Sequence, residues 1–185
     1  KFSIAHIGSL LSERNPEILW KALSELVSEN KIFASLLQLN FVGTVSKDIL
    51  RSLEEYNLSQ FVSLKGYVIH NEAIKFQKKS QVLLLIEINS EDTKCIIPGK
   101  LFEYMISNRP ILAIGPKGSD VAQILRDTNT GTYFNYDDHE SIKSMIIDLF
   151  NTFRTGELKS NGIGLKHYSR KSLTSKLAKL INQYN

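Results

Sequence analysis

Residues 82–115 read VLLLIEINSEDTKCIIPGKLFEYMISNRPILAIG. The first five, Val82 to Ile86, are consecutive apolar residues, the mark of a strand buried on both faces. A polar stretch follows. Pro98 then opens an apolar-periodic run to Ser107, the pattern of a helix with Pro at its start. Pro110–Ile114 is a second buried strand, closed by Gly115-Pro116. Strand, helix and strand in this order make a right-handed βαβ crossover between parallel strands.

The same alternation runs outward in both directions. Upstream, Ser3–Gly8, Leu36–Gly43 and Phe61–Gly66 are short apolar stretches ending in Gly. Between them lie helical patterns from Asn15-Pro16 to Glu29, from a Ser46 cap through Ile49, Leu50 and Leu53, and over Asn71–Lys79. Downstream, Asp120–Arg126 is helical, Thr132–Phe134 a short strand and Asp138–Phe153 a helix. Thr155–Gly164 is a loop with three Gly, and Ser169–Gln183 a final amphipathic helix. The pattern predicts an α/β fold: a Rossmann-like, doubly wound parallel sheet of about six strands with helices on both faces. It is read as one domain over residues 1–185, with a core at 1–153 and a basic loop and helix at 154–185. Ligands of such sheets bind where strands end, which points to residues 8–14, 43–44, 66–70, 87–100 and 115–119.

Composition narrows the function. At 42% hydrophobic and 23% charged over 185 residues, the chain is globular rather than disordered. One cysteine, Cys95, excludes a disulfide framework and a cysteine-based zinc finger. Methionine occurs only at 105 and 145, so the chain is expected to belong to a longer protein. Residues 1–150 carry sixteen basic and eighteen acidic side chains, whereas 151–185 carry seven basic and one acidic. The basic character therefore sits in the tail, either as a solvated helix face or as a peripheral contact with an anionic membrane surface. No phosphate loop, dinucleotide fingerprint, zinc-protease motif or hydrolase elbow is present. The four histidines share no ligand spacing, so no metal is expected. Aromatic residues are not interleaved with basic ones, so nucleic acid is not expected as a partner.

Lys100 and Glu103 stand three apart in the first turns of the Pro98 helix, on one face and beside amides lacking helical partners. Lys and free amides suit phosphate, and a carboxylate suits a diol. The run Pro98-Gly99-Lys100-Leu101-Phe102-Glu103-Tyr104, followed by the strand Pro110-Ile111-Leu112-Ala113-Ile114-Gly115, resembles the C-terminal, donor-binding domain of the group 1 family of retaining glycosyltransferases. These have the two-domain GT-B fold. Ile7-Gly8-Ser9 with Arg14-Asn15-Pro16-Glu17, Leu39–Gly43, Val62-Ser63-Leu64-Lys65-Gly66-Tyr67-Val68, and Tyr168-Ser169-Arg170 agree in order, so the resemblance covers nearly the whole chain.

The resemblance implies glycosyl transfer with retention from a nucleoside-diphosphate sugar, in surface polysaccharide or glycoconjugate synthesis. The donor is a substrate rather than a cofactor, and no metal is needed. Arg14 and Lys100 would stabilise the leaving diphosphate. Gly8 and Ser9 would admit its phosphates, with Gly99 beside Lys100. Tyr67 and Val68 would hold the base, and Glu103 the ribose. An N-terminal acceptor domain outside this chain would complete the enzyme, which is expected to be cytoplasmic and peripheral to the membrane. The family's first motif Glu is replaced by Cys95, and Glu91 or Asp92 is the nearest acid to take its sugar contact. A sugar epimerase domain of the same fold and a degenerate binding module are the alternatives. Read without the resemblance, Arg14 caps locally or pairs with Glu13 or Glu17, Cys95 is a loop residue, His6 is core, and His70 approaches the site from the third strand.

Overall fold

The computed structural model describes residues 1–183. Strands β1 (Phe2–Ile7), β2 (Leu37–Val42), β3 (Val62–Gly66), β4 (Val82–Ile86), β5 (Ile111–Gly115) and β6 (Gly131–Asn135) alternate with helices. The helices are α1 (Glu17–Glu29), α2 (Lys31–Leu36), α3 (Lys47–Glu55), α4 (His70–Lys79), α5 (Lys100–Met105), α6 (Asp120–Thr128), α7 (His139–Arg154) and α8 (Arg170–Gln183). All neighbouring strands pair in parallel, in the order β3-β2-β1-β4-β5-β6. This is the doubly wound order, with its reversal between β1 and β4. All five residues of β4 are buried, as a strand flanked by β1 and β5 requires.

Two apolar layers cover the sheet. One joins Phe2, Ile4, Leu39, Phe41, Val82, Leu84 and Ile86 to Trp20 and Leu23 of α1, Phe33 of α2, Ile49 of α3 and Ile146 and Phe150 of α7. The other joins Ala5, Ile7, Leu83, Leu85 and Ala113 to Leu101, Tyr104 and Met105 of α5 and Val121 and Leu125 of α6. Edge strand β3 is largely solvent-facing, with Leu64 half exposed.

Four local readings are corrected. Leu36, read as the start of the second strand, instead ends helix α2, because the Asn30 side chain accepts from the amides of Ile32 and Phe33 and starts a new turn directly after α1. Ser46 stands ahead of α3, but its hydroxyl makes no capping bond. Pro16 precedes α1 and accepts from Leu19 and Trp20 through its carbonyl, rather than occupying the first helical position. Helix α5 is six residues long, and the amides of Leu101 and Phe102 already bond to Pro98 and Gly99, leaving fewer free amides than expected.

The segment 155–168 is irregular yet tied down. Ile163 N–H bonds to Thr128 O at 2.8 Å, Ser160 N–H to Asn108 O at 3.1 Å, and Leu165 and Tyr168 pack on the second layer. Helix α8 buries none of its side chains; Leu173, Leu177, Leu180 and Ile181 are 44–58% exposed.

Candidate functional site

A cavity of about 270 Å3 opens at the carboxyl ends of β1 and β4, at the reversal of strand order. Gly8, Ser9, Arg14 and Lys100 line it, with Glu87, Thr93 and an apolar floor and wall that include Leu85, Ile86 and Ile96. The local sequence explains why these groups meet. Gly8 leaves β1 with φ +110, a conformation that glycine alone adopts readily. Its amide donates to Val42 O at 2.7 Å, and the Gly43 amide donates in turn to Gly66 O at 2.7 Å. A Cβ on Gly43 would stand 2.7 Å from Gly8 O, so the two loops approach as closely as bare backbone permits.

Helix α5 is fixed to this rim by Tyr104. Its buried hydroxyl accepts the Ile7 amide at 2.9 Å, and burial raises its pKa so that it keeps its proton. One turn earlier, Lys100 lies over Gly8: a Cβ there would be 2.8 Å from its Nζ. Lys100 Nζ also stands 3.3 Å from Nε2 of His6. Burial, and then repulsion from Arg14, lower the Lys100 pKa to about 8. Arg14 comes from a short 3-10 turn, Ser12–Arg14. Among the described residues neither cation has an acidic partner; Glu17 is taken up by Asn15 at 3.2 Å. Two mutually repelling cations meet beside Gly8, an arrangement whose charge suits an anion.

The other expected residues lie along the same rim but outside the cavity. Glu103 turns from Lys100 towards α4, where Oε2 accepts from Gln77 at 2.9 Å and Oε1 lies 3.9 Å from His70 Nε2. His70 thus reaches Glu103 rather than the cavity. Val68 packs on the second apolar layer, while Tyr67 is 90% exposed. Gly99 precedes α5 with open space where a side chain would be. Cys95 is exposed, Glu91 is paired with Lys94, and Asp92 sits in an exposed 3-10 turn.

Glu87 was not singled out by the sequence reading, which marked only the stretch that it begins. It is 6% exposed, Oε2 accepts from Tyr133 OH at 2.7 Å, and Oε1 has no partner among the described residues. Burial raises its pKa against the opposing bond from Tyr133. Tyr136 OH holds the Glu87 carbonyl at 2.7 Å. Gly115 is required beside this pair, because a Cβ would fall 2.2 Å from Tyr133 Oη.

Residues 1–152 match the family model "Glycosyl transferases group 1". No curated protein matches the chain. Among solved structures, the chain is similar to HepE of Anabaena in complex with UDP-glucose, at 15% identity and TM-score 0.69, over 99% of this chain and 49% of that one. It is similar to the C-terminal domain of the group 1 family protein LpcC of Francisella tularensis, at 14% identity and TM-score 0.62, over 85% of this chain and 80% of that one. It is also similar to a TarM variant of S. aureus holding UDP, at 19% identity and TM-score 0.65, over 100% of this chain and 36% of that one. At these identities the likeness is one of fold, and the chain spans well under half of the first such structures, such as 40% of the lipopolysaccharide glycosyltransferase WaaG. No helix among the described residues is long and apolar enough to cross a membrane. With the family model covering most of its length and the doubly wound fold beneath it, the chain belongs to the group 1 glycosyltransferases.

Proposed function

We propose that this chain is the donor-binding half of a retaining glycosyltransferase and holds a nucleoside-diphosphate sugar across the β1/β4 rim. The observation that carries the reading is the placement of Arg14 and Lys100, two cations without acidic partners, beside Gly8 in one cavity at the reversal of the sheet. The diphosphate lies against these groups, the ribose hydroxyls reach Glu103, and the base lies towards Val68 and Tyr67. As the bond from the sugar anomeric carbon breaks, charge grows on the diphosphate. Fixed cations stabilise it without a metal. The acceptor belongs to a second domain, and the product to surface polysaccharide or glycoconjugate synthesis, in keeping with WaaG among the similar structures. Helix α8 sets exposed Leu173 and Leu177 beside Arg170, Lys171, Lys176 and Lys179, a composition suited to an anionic cytoplasmic membrane surface.

Calorimetry of the chain with UDP, GDP, dTDP and the matching nucleosides, with and without EDTA, tests the reading. One diphosphate is expected to bind more tightly than its nucleoside, unaffected by EDTA. Glu103→Ala should weaken nucleoside and diphosphate alike, by roughly tenfold or more, as loss of a hydrogen bond to a charged group implies. Binding of none of the three diphosphates, or binding only with a divalent cation, overturns it. Sedimentation with vesicles containing anionic lipid, compared between the wild type and Lys176→Glu with Lys179→Glu, tests the α8 contact.

A further inference from the structure

Strands β1 and β4 pair only at Ile4–Val82 and Ala5–Leu83, although β1 continues to Ile7 and β4 to Ile86. The two strands part after these pairs, and the cavity opens where they part. His6 stands in the split, 1% exposed. By strand alternation its side chain belongs with Phe2 and Ile4, while Lys100 stands on the helix layer of the other face. The two meet across the end of the sheet at 3.3 Å.

One protonation pattern of the ring satisfies its contacts to Leu84 and Lys100 together. His6 Nδ1 lies 3.1 Å from Leu84 O, a carbonyl that can only accept, so Nδ1 carries the proton. Burial, with Lys100 as the next cause, lowers the pKa to about 3, so the imidazole is neutral. Nε2 is then a lone pair, and a lysine ammonium can only donate.

We propose that His6 is a positioning residue: a neutral imidazole, fixed in the split of the sheet by Leu84, that accepts a hydrogen bond from Lys100 and holds its ammonium over Gly8 where the diphosphate arrives. The inference rests on the donor reading above. A flexible lysine pays rotamer entropy to stay in one place, and a fixed acceptor behind it reduces that cost at the moment of binding. The other charged groups around Lys100 do not supply the hold. Arg14 repels it, Glu103 on its own helix is turned to Gln77, and Glu87, whose Oε2 accepts from Tyr133, makes no ion pair with it among the described residues.

The test is a double-mutant cycle on UDP binding, with uridine as the ligand lacking phosphate. His6→Phe is expected to weaken UDP binding about tenfold, the scale of one hydrogen bond, with uridine unchanged. In Lys100→Ala the same change should do nothing more. Should His6→Phe not fold, His6→Asn replaces it, keeping a donor for Leu84 O but too short to reach Lys100. Equal losses in both backgrounds, or a matching loss for uridine, reduce His6 to packing and overturn the proposal. Nitrogen NMR of the imidazole gives a readout without ligand: one neutral tautomer with the proton on Nδ1 from pH 5 to 9. Titration of the ring in that range, or the opposite tautomer, overturns the proposal even where UDP binds. Absence of UDP binding with the tautomer as expected removes the donor reading and, with it, the role assigned to Lys100.

Discussion

On one face of the sheet, Phe2, Phe33 and Phe150 pack with ring centroids 5.0–6.0 Å apart, and Trp20 meets Phe41 at 6.1 Å. On the other, the strands contribute Ala5 and Ala113 beside Ile7, Leu83 and Leu85, and the covering helix α5 is only six residues long, with a buried hydroxyl next to its C-terminal residue. The first layer gains its stability from large apolar area. The second gives up area for the placement of polar groups: Tyr104 on Ile7, Lys100 over Gly8, Glu103 beside α4. The large aromatic area thus lies on one face of the sheet, while α5 brings Lys100 and Tyr104 to the rim from the other.

The largest effect is expected on the aromatic face. Phe150→Ala should lower unfolding free energy by about 3–5 kcal/mol, read by chemical denaturation. UDP affinity of the folded protein should not change; a parallel loss of affinity breaks the division between faces.

Lys100→Ala should do the reverse, weakening UDP by roughly 10- to 150-fold, as one charged hydrogen bond implies, with little change for uridine. The pH dependence follows from its lowered pKa of about 8. Below that value the free protein already carries the ammonium. Above it the proton is lost and UDP affinity should fall, while stability of the free protein rises between about 8 and the ordinary lysine value, because the unfolded chain holds the proton more firmly. Calorimetry at pH 8.5 in two buffers of different ionisation enthalpy should show proton uptake on UDP binding, absent in Lys100→Ala.

Tyr104→Phe sits on the border between the two roles. It leaves the buried Ile7 amide unpaired, costing about 1–3 kcal/mol of stability, and by loosening α5 it should also weaken UDP. Loss of stability alone would show that α5 is held by packing. Glu87→Gln removes the buried carboxyl, and its sign is fixed: a raised folded pKa means stability is lost as pH rises above the ordinary carboxyl value. The variant should therefore flatten the fall in stability above the ordinary carboxyl value, read by denaturation across pH. The smallest effect belongs to Lys143, which ties α7 to Glu25 and Glu29 of α1 at 2.9 and 2.7 Å. Lys143→Ala should lower stability only slightly, and less at high salt, as surface pairs do, read by denaturation at low and high ionic strength.

How much of this was legible in the sequence depended on the range of the interactions. The β4–α5–β5 unit reads from its own residues, since five apolar residues in a row and a Pro-started helix are local signals. Gly8, Arg14 and Lys100 were legible as residues following strands. Helix α2 was not, because its signal is a single asparagine cap hidden behind α1. His6 and Glu87 were missed for a deeper reason. Their partners, Leu84 and Tyr133, are 78 and 46 positions away, and only the strand order brings them together. A His in an apolar strand reads as core until the parting of β1 and β4 is known.

That parting has a consequence for how the chain acquires its shape. Strand β1 is made first yet stands at the centre of the sheet, and the pairing that frames the cavity joins Ile4 to Val82. Strands β1, β2 and β3 can zip together from neighbouring stretches, whereas the seam beside β4 waits for closure of a loop of nearly eighty residues, the kind of non-local step that slows folding. Lys100 and Tyr104 arrive later still along the chain. The rim where UDP is proposed to sit thus depends on the last closure along the chain, and ligand held there should slow unfolding far more than it speeds folding.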